Sequence, residues 1–206
     1  ASYMIKKENY VKLKEKYGNI ASWTIWDKPC KSKKNDNISG EKWCLNDDEL
    51  MKNIKTKYVL VALNPYGGKN AKRSKKQDNT LPWKQNFHTS ANDRKLRDAV
   101  RGTSLEGSYI TDLFKRIPTE GQKSLKIKEK DIIKSVKELE DEIALISDNT
   151  ILIALGDVVF DNLIKYLSGP YVIRKIRHFA YRFLDPKEYH DEIVDLTDRL
   201  EKKIIR

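Results

Sequence analysis

Four short segments carry side chains whose types and spacing suit chemistry on a bound molecule. Asn64-Pro65-Tyr66-Gly67-Gly68 offers an amide whose carbonyl can hold a water and whose N–H can donate. In that segment proline restricts the turn, and the two glycines let backbone approach a ligand closely. A plain strand-to-loop turn uses the same Asn-Pro pair. Thr111-Asp112-Leu113-Phe114-Lys115-Arg116 sets a carboxylate beside two cations, and His178-Phe179-Ala180-Tyr181-Arg182 sets an imidazole among aromatic rings and a guanidinium. Lys69, Lys72, Arg73, Lys75 and Lys76 crowd one stretch with no acid among them, a pattern suited to phosphate contacts whose affinity falls with salt. Trp83 and Phe87 follow that stretch and could stack on or prop an unstacked base.

The elements around these segments predict where they stand. Tyr58–Leu63, Ser108–Leu113, Thr150–Leu155 and Tyr171–Arg177 read as four strands, with the longest continuous apolar runs near 58–63 and 151–155. Helices are expected over 5–16, 46–54, from Asn92 through Val100, and over 157–167 and 186–204. The clearest is 129–147, with Ile132, Ile133, Val136, Leu139, Ile143 and Leu145 spaced for one buried face. Residues 28–42 and 67–91 read as loops, and Ser22–Trp26 as a short strand or extended segment. Strands alternating with helices argue for an α/β fold, a three-layer α/β/α sandwich around a central four-stranded parallel sheet. Ligands of such sheets bind beyond the carboxyl ends of the strands, where the chemistry-bearing segments fall.

Length and composition bound the reading. The chain has 206 residues and a formal net charge of +11. One domain is expected over 1–206: helices and loop at 1–56 packing on the sheet, a core at 57–183 and a closing helix at 184–206. Such a chain buries roughly 70% of its unfolded surface and needs no staple. Its 39% hydrophobic content argues against wholesale disorder. The apolar runs near 58–63 and 151–155 are too short to span a bilayer, and no secretory signal is evident. Met4 is expected to be the native start, preceded by added residues Ala1, Ser2 and Tyr3. Cys30 and Cys44 read as free thiols of a reducing cytoplasm, and with His88, His178 and His190 they do not make zinc-finger spacing, so no metal site is expected. The basic charge favours a polyanionic partner, nucleic acid before a membrane surface.

Two phosphate-site patterns can be tested. Gly68-Lys69 lacks the glycine and the hydroxyl residue a P-loop requires, since Leu63 and Asn70 stand there. Asn64-Pro65-Tyr66-Gly67-Gly68 also resembles the opening motif of diacylglycerol-kinase-like lipid kinases, but the Gly-Gly-Asp-Gly loop of that family has only Gly156-Asp157 to represent it. A lipid-kinase-like phosphotransferase is therefore the weakest alternative.

Taken in order, the segments resemble the uracil-DNA glycosylase superfamily, with the motif order of its mismatch-specific branch. Ala62-Leu63-Asn64-Pro65-Tyr66 is similar to its first motif, Thr111-Asp112-Leu113 with Lys115 and Arg116 to its middle motif, Ala154-Leu155-Gly156 to a later strand end, and His178-Phe179-Ala180-Tyr181-Arg182 to its last motif. The resemblance spans roughly residues 57–183. It implies hydrolysis, without a cofactor, of the bond between deoxyribose and a base flipped out of DNA. By that resemblance Asn64 would position the attacking water and His178 would stabilise the leaving base; Tyr66 and Phe87 would wall and stack the base beside Pro65, Gly67 and Asp112. Lys69, Lys72, Arg73, Lys75, Lys76 and Arg182 would contact DNA, single- or double-stranded. The chain departs from the pattern at Ala62, where the family has glycine, at Phe179-Ala180, where it has Pro-Ser, and at Asp112, where the base-reading residue is asparagine. A carboxylate only accepts, so Asp112 would disfavour uracil and favour an exocyclic amino group, as on cytosine or a modified cytosine. The first two departures also fit a non-catalytic DNA- or nucleotide-binding member of the same fold.

Overall fold

The computed structural model describes residues 4–26, 46–65, 82–83, 87–88, 91–117 and 126–202. In chain order the elements are α1 (Lys7–Tyr17), β1 (Ser22–Trp23), α2 (Asp47–Asn53), β2 (Tyr58–Ala62), α3 (Ala91–Val100), β3 (Tyr109–Asp112), α4 (Glu129–Ala144), β4 (Ile151–Leu155), α5 (Asp157–Tyr166), β5 (Ile173–Ile176) and α6 (Pro186–Lys202). The protein is mixed α/β. Among the described residues no helix is long and apolar enough to cross a membrane.

The expected strands form in order, and the helices fall where periodicity and caps place them. The Asn46 side chain accepts from the Glu49 N–H at 2.9 Å and starts α2. Asp185 accepts from the Glu188 N–H at 2.9 Å ahead of Pro186, which opens α6.

The expected four-stranded parallel sheet is corrected to a five-stranded mixed sheet of order β1-β3-β2-β4-β5. The strands β3, β2, β4 and β5 pair in parallel, while β1 adds antiparallel to β3 through Ser22↔Ile110 and Trp23↔Tyr109. Two residues carry no period to read. What recruits them is the otherwise open edge of β3, whose amides and carbonyls need partners.

The pleat sorts side chains to two faces. Val59, Val61, Tyr109, Leu152 and Ala154 enter the core with Leu13 of α1, Leu50 of α2, Leu139 of α4 and Leu163 of α5. Tyr58, Leu60, Ala62, Ile110, Ile153 and Leu155 enter the other with Leu96 of α3 and Ile193 and Leu196 of α6. Continuous apolar strands are what a sheet buried on both faces demands. On α4 the buried stripe runs through Val136, Leu139 and Ile143, but Ile133 is exposed and Glu142 is buried. One step past Ile132 turns Ile133 by about 100°, off the stripe. Burial of Glu142 answers to polar partners on β3, described next.

Candidate active site at the strand ends

β2 leads into α3 on one face of the sheet, while its neighbour β4 leads into α5 on the other. Connections that diverge this way open a crevice at the carboxyl ends of the two strands. Asn64-Pro65 follows β2 and Gly156 follows β4, so both border that crevice. The register lines up the flanking ends. Asp112 pairs with Ala62, Val61 with Ala154, and Leu155 with Ile176. Asp112 therefore ends the strand on one side of Asn64, and His178 lies two residues past the end of β5 on the other. β2 and β5 are two strand spacings apart, about 10 Å.

The Asn64 side chain is half-buried and oriented. Its amide Nδ2 donates to the Ile117 carbonyl at 2.9 Å and, more weakly, to the Pro65 carbonyl at 3.3 Å. A carbonyl acceptor at Ile117 identifies which end of the amide is nitrogen. The turn after β3 thus holds the residue after β2. Two backbone bonds reinforce this, from the Leu113 N–H to Ala62 O at 2.8 Å and from the Phe114 N–H to Leu63 O at 2.9 Å.

His178 has its ring state set by geometry. Its Nδ1 accepts from the Ala180 N–H at 2.9 Å, so the neutral ring carries its proton on Nε2. The Phe179 ring lies 4.3 Å away, tilted by 24°, in a stacked arrangement. Burial pushes the His178 pKa down to about 4. At neutral pH the residue is therefore an uncharged hydrogen-bond donor through Nε2.

Asp112 is buried at the end of β3, on the side of the sheet that carries Ile110, Ala62 and Phe87. Phe87 is itself buried, with a φ of 65°. The two cations after Asp112, Lys115 and Arg116, are paired with carboxylates of α4. Lys115 is buried, donates to the Asp112 backbone carbonyl at 2.7 Å and pairs with Glu142 at 2.7 Å. Glu142 also accepts from the Tyr109 hydroxyl at 2.5 Å and the Thr111 hydroxyl at 2.9 Å. Burial, then the Glu142 charge, holds the Tyr109 hydroxyl protonated well above its ordinary range. Arg116 forms a two-pronged contact with Glu138 at 2.9 Å to each oxygen. Around β5, Lys175 pairs with Asp157 at 2.9 Å and Arg177 with Glu192 at 3.0 Å, which offsets part of the positive charge there.

Arg182 is exposed, its guanidinium 5.7 Å above the Phe183 ring. Tyr181 and Phe183 meet edge to face at 6.1 Å and are 51% and 76% exposed, large apolar rings left to solvent beside a cation. In the sequence, the alternation of aromatic residues at 179, 181 and 183 is the signal of this feature. The sequence does not mark the buried Lys115–Glu142 pair, because its partners are 27 positions apart. Tyr66, Gly67, Lys69, Lys72, Arg73, Lys75 and Lys76, with Cys30 and Cys44, the expected loop at 28–42 and most of the expected loop at 67–91, lie outside the described residues.

Among the described candidates, Asn64 and Pro65 follow β2, Asp112 ends the adjacent strand β3, and His178 lies past β5, two strands from β2. Arg182 stands on the same turn as His178, and Phe87 lies beneath, in the apolar layer on the Asp112 side. Two groups of this set suit bond cleavage next to a polar ring: an oriented amide that can hold a water, and a neutral donor that can stabilise a forming anion. No protein-family model matches the chain, and no curated protein matches its sequence.

Proposed function

We propose that the protein is a DNA glycosylase-like hydrolase that accepts a flipped-out base, uracil or a cytosine-type base, in the crevice between β2 and β4. The observation that carries this reading is the state of His178. A histidine kept neutral, with Nε2–H as donor, suits an oxygen that gains negative charge on a leaving base, and it adds no full cation to the site. Water held by the Asn64 carbonyl would attack the sugar C1′. The C1′–O bond would form as the C1′–N bond breaks with its electron pair passing to the base; the water's surplus proton would pass to solvent, and the base would later take a proton from solvent. Asparagine is a weak base, so most of the acceleration falls to stabilising the base anion and the sugar cation. No cofactor enters this scheme, and DNA is the partner.

Alkali treatment of labelled oligonucleotides tests the reading. Single and double strands carrying uracil, mismatched thymine, cytosine or modified cytosines would be incubated with the protein and with Asn64→Ala. Abasic-site formation by the parent that Asn64→Ala abolishes is the expected result. Salt-sensitive binding with no cleavage would replace it with the second reading, a non-catalytic DNA- or nucleotide-binding protein. That reading draws on the departures from the resembled motifs at Ala62 and Phe179-Ala180. Neither binding nor cleavage would overturn both.

A further inference from the structure

We propose that Phe179 is a positioning residue for His178. Its ring covers one imidazole face while the Ala180 N–H fills Nδ1, so the residue presents Nε2–H to an oxygen acceptor of the ligand. The identity of that ligand rests on the function proposed above; the state of the imidazole does not.

Three observations converge on this turn. The stack, 4.3 Å between centroids with 24° between planes, keeps water from one face of His178. Phe179 is itself buried among Ile176, Leu184 and Tyr189, so its ring has little freedom to leave. The Ala180 N–H points at Nδ1 from 2.9 Å. A proton on Nδ1 would face that N–H donor to donor, so both the other neutral tautomer and the imidazolium are disfavoured.

A stacked aromatic face also attracts a cation, which would act in the opposite direction. Here the covered face and the filled Nδ1 prevail. The charged groups around the turn have other partners. Arg177 pairs with Glu192 of α6, Arg182 lies over Phe183, and the Asp185 carboxylate accepts from the Glu188 N–H. The Tyr189 hydroxyl donates to the Arg177 carbonyl at 2.7 Å, and burial holds its pKa far above the ordinary range. Burial lowers the His178 pKa, and the Ala180 N–H at Nδ1 acts in the same direction.

Imidazole nitrogen NMR on the 15N-labelled protein tests the proposal, using the parent, Phe179→Leu and Phe179→Tyr. The parent should show a protonated Nε2, a bare Nδ1 and a midpoint near 4. Leucine keeps apolar bulk but loses the stack, so the midpoint should rise by about one pH unit or more and the second tautomer should become populated. Tyrosine keeps the ring and should restore the parent spectrum. A Phe179→Leu spectrum with unchanged midpoint and tautomer overturns the proposal, as does a lowered midpoint. If Phe179→Leu does not fold, the parent decides: a proton on Nδ1 overturns the proposal. None of these outcomes depends on base release. A protein that releases no base yet shows the expected spectra would overturn the glycosylase reading and leave Phe179 in its role.

Discussion

The ammonium of Lys115 lies 2.7 Å from a carboxylate oxygen of Glu142, and the two side chains are 1% and 0% exposed. The same ammonium donates to the Asp112 backbone carbonyl at 2.7 Å and stands 5.6 Å from the centre of the Tyr17 ring. One charge pair thus ties α4 to the end of β3, beside the turn whose Ile117 carbonyl orients Asn64.

Lys115→Met would leave Glu142 charged and buried among the Tyr109 and Thr111 hydroxyls. Breaking a buried pair from one side costs about 3–5 kcal/mol. Lys115→Met/Glu142→Gln removes the orphaned charge while keeping an oxygen for one hydroxyl. It should recover a substantial part of that loss. Urea denaturation of the parent and the variants measures this, and a double variant no more stable than Lys115→Met would contradict it.

His178 ties stability to pH. Its pKa falls from the ordinary 6.5 to about 4 on folding, so between those values the unfolded chain binds more protons. The contribution is complete above pH 6.5 and is lost as pH drops towards 4. Its full size is about 3 kcal/mol at most, less to the extent that water reaches the half-buried ring. Carboxylates titrate in the same window, so the informative quantity is the difference between parent and His178→Gln. That difference should shrink or change sign as the medium is acidified from pH 7 to pH 4.5.

Gly156, in the turn between β4 and α5, has a φ of 95°, and its N–H donates to the Ile176 carbonyl at the end of β5 at 2.8 Å. A Cβ there would meet no atom within 4 Å. Gly156→Ala therefore meets backbone strain rather than a clash, costing about 1–3 kcal/mol. A thermal melt measures the loss, and a variant as stable as the parent would show that the turn relaxes.

If the crevice takes a base, Asp112→Asn should move preference towards uracil. An amide both donates and accepts, where the carboxylate only accepts. The ratio of uracil to cytosine-type cleavage in the oligonucleotide panel should rise by roughly tenfold or more, which corresponds to a single differential hydrogen bond of about 1.4 kcal/mol. An unchanged ratio would remove Asp112 from base reading.

Phe183, exposed beside Arg182, should contribute stacking to single-stranded DNA. Losing a stacked base costs about 1–3 kcal/mol, so Phe183→Ala should weaken binding by roughly fivefold to a hundredfold with little change in salt dependence. Replacing Lys72 and Arg73 should instead flatten the dependence of affinity on salt. Fluorescence anisotropy at several salt concentrations separates the two effects.

The strands and their order as segments were legible because continuous apolar runs such as Val59-Leu60-Val61 and Ile151-Leu152-Ile153 report burial on both faces without reference to distant parts of the chain. The helix starts at Asn46 and Asp185 were legible for a similar reason: a cap is satisfied within three residues. The placement of Asn64 beyond a strand end followed from the first of those runs.

Pairing across the sheet was not legible. That Ser22-Trp23 closes the edge of β3, that Lys115 meets Glu142 rather than solvent, and that the Ile117 carbonyl holds the Asn64 amide all join positions far apart in sequence. Glu142 of α4 is buried because two hydroxyls and an ammonium satisfy it against β3, a pairing that helical periodicity does not report. The protonation state of His178 depends on one backbone N–H and one ring brought to it by a turn. The sequence by itself determined an α/β chain with polar groups at its strand ends. The tertiary structure alone decided which of those groups are consumed by partners and which face the crevice, because hydrogen bonds and desolvation are set by neighbours that only folding brings into contact.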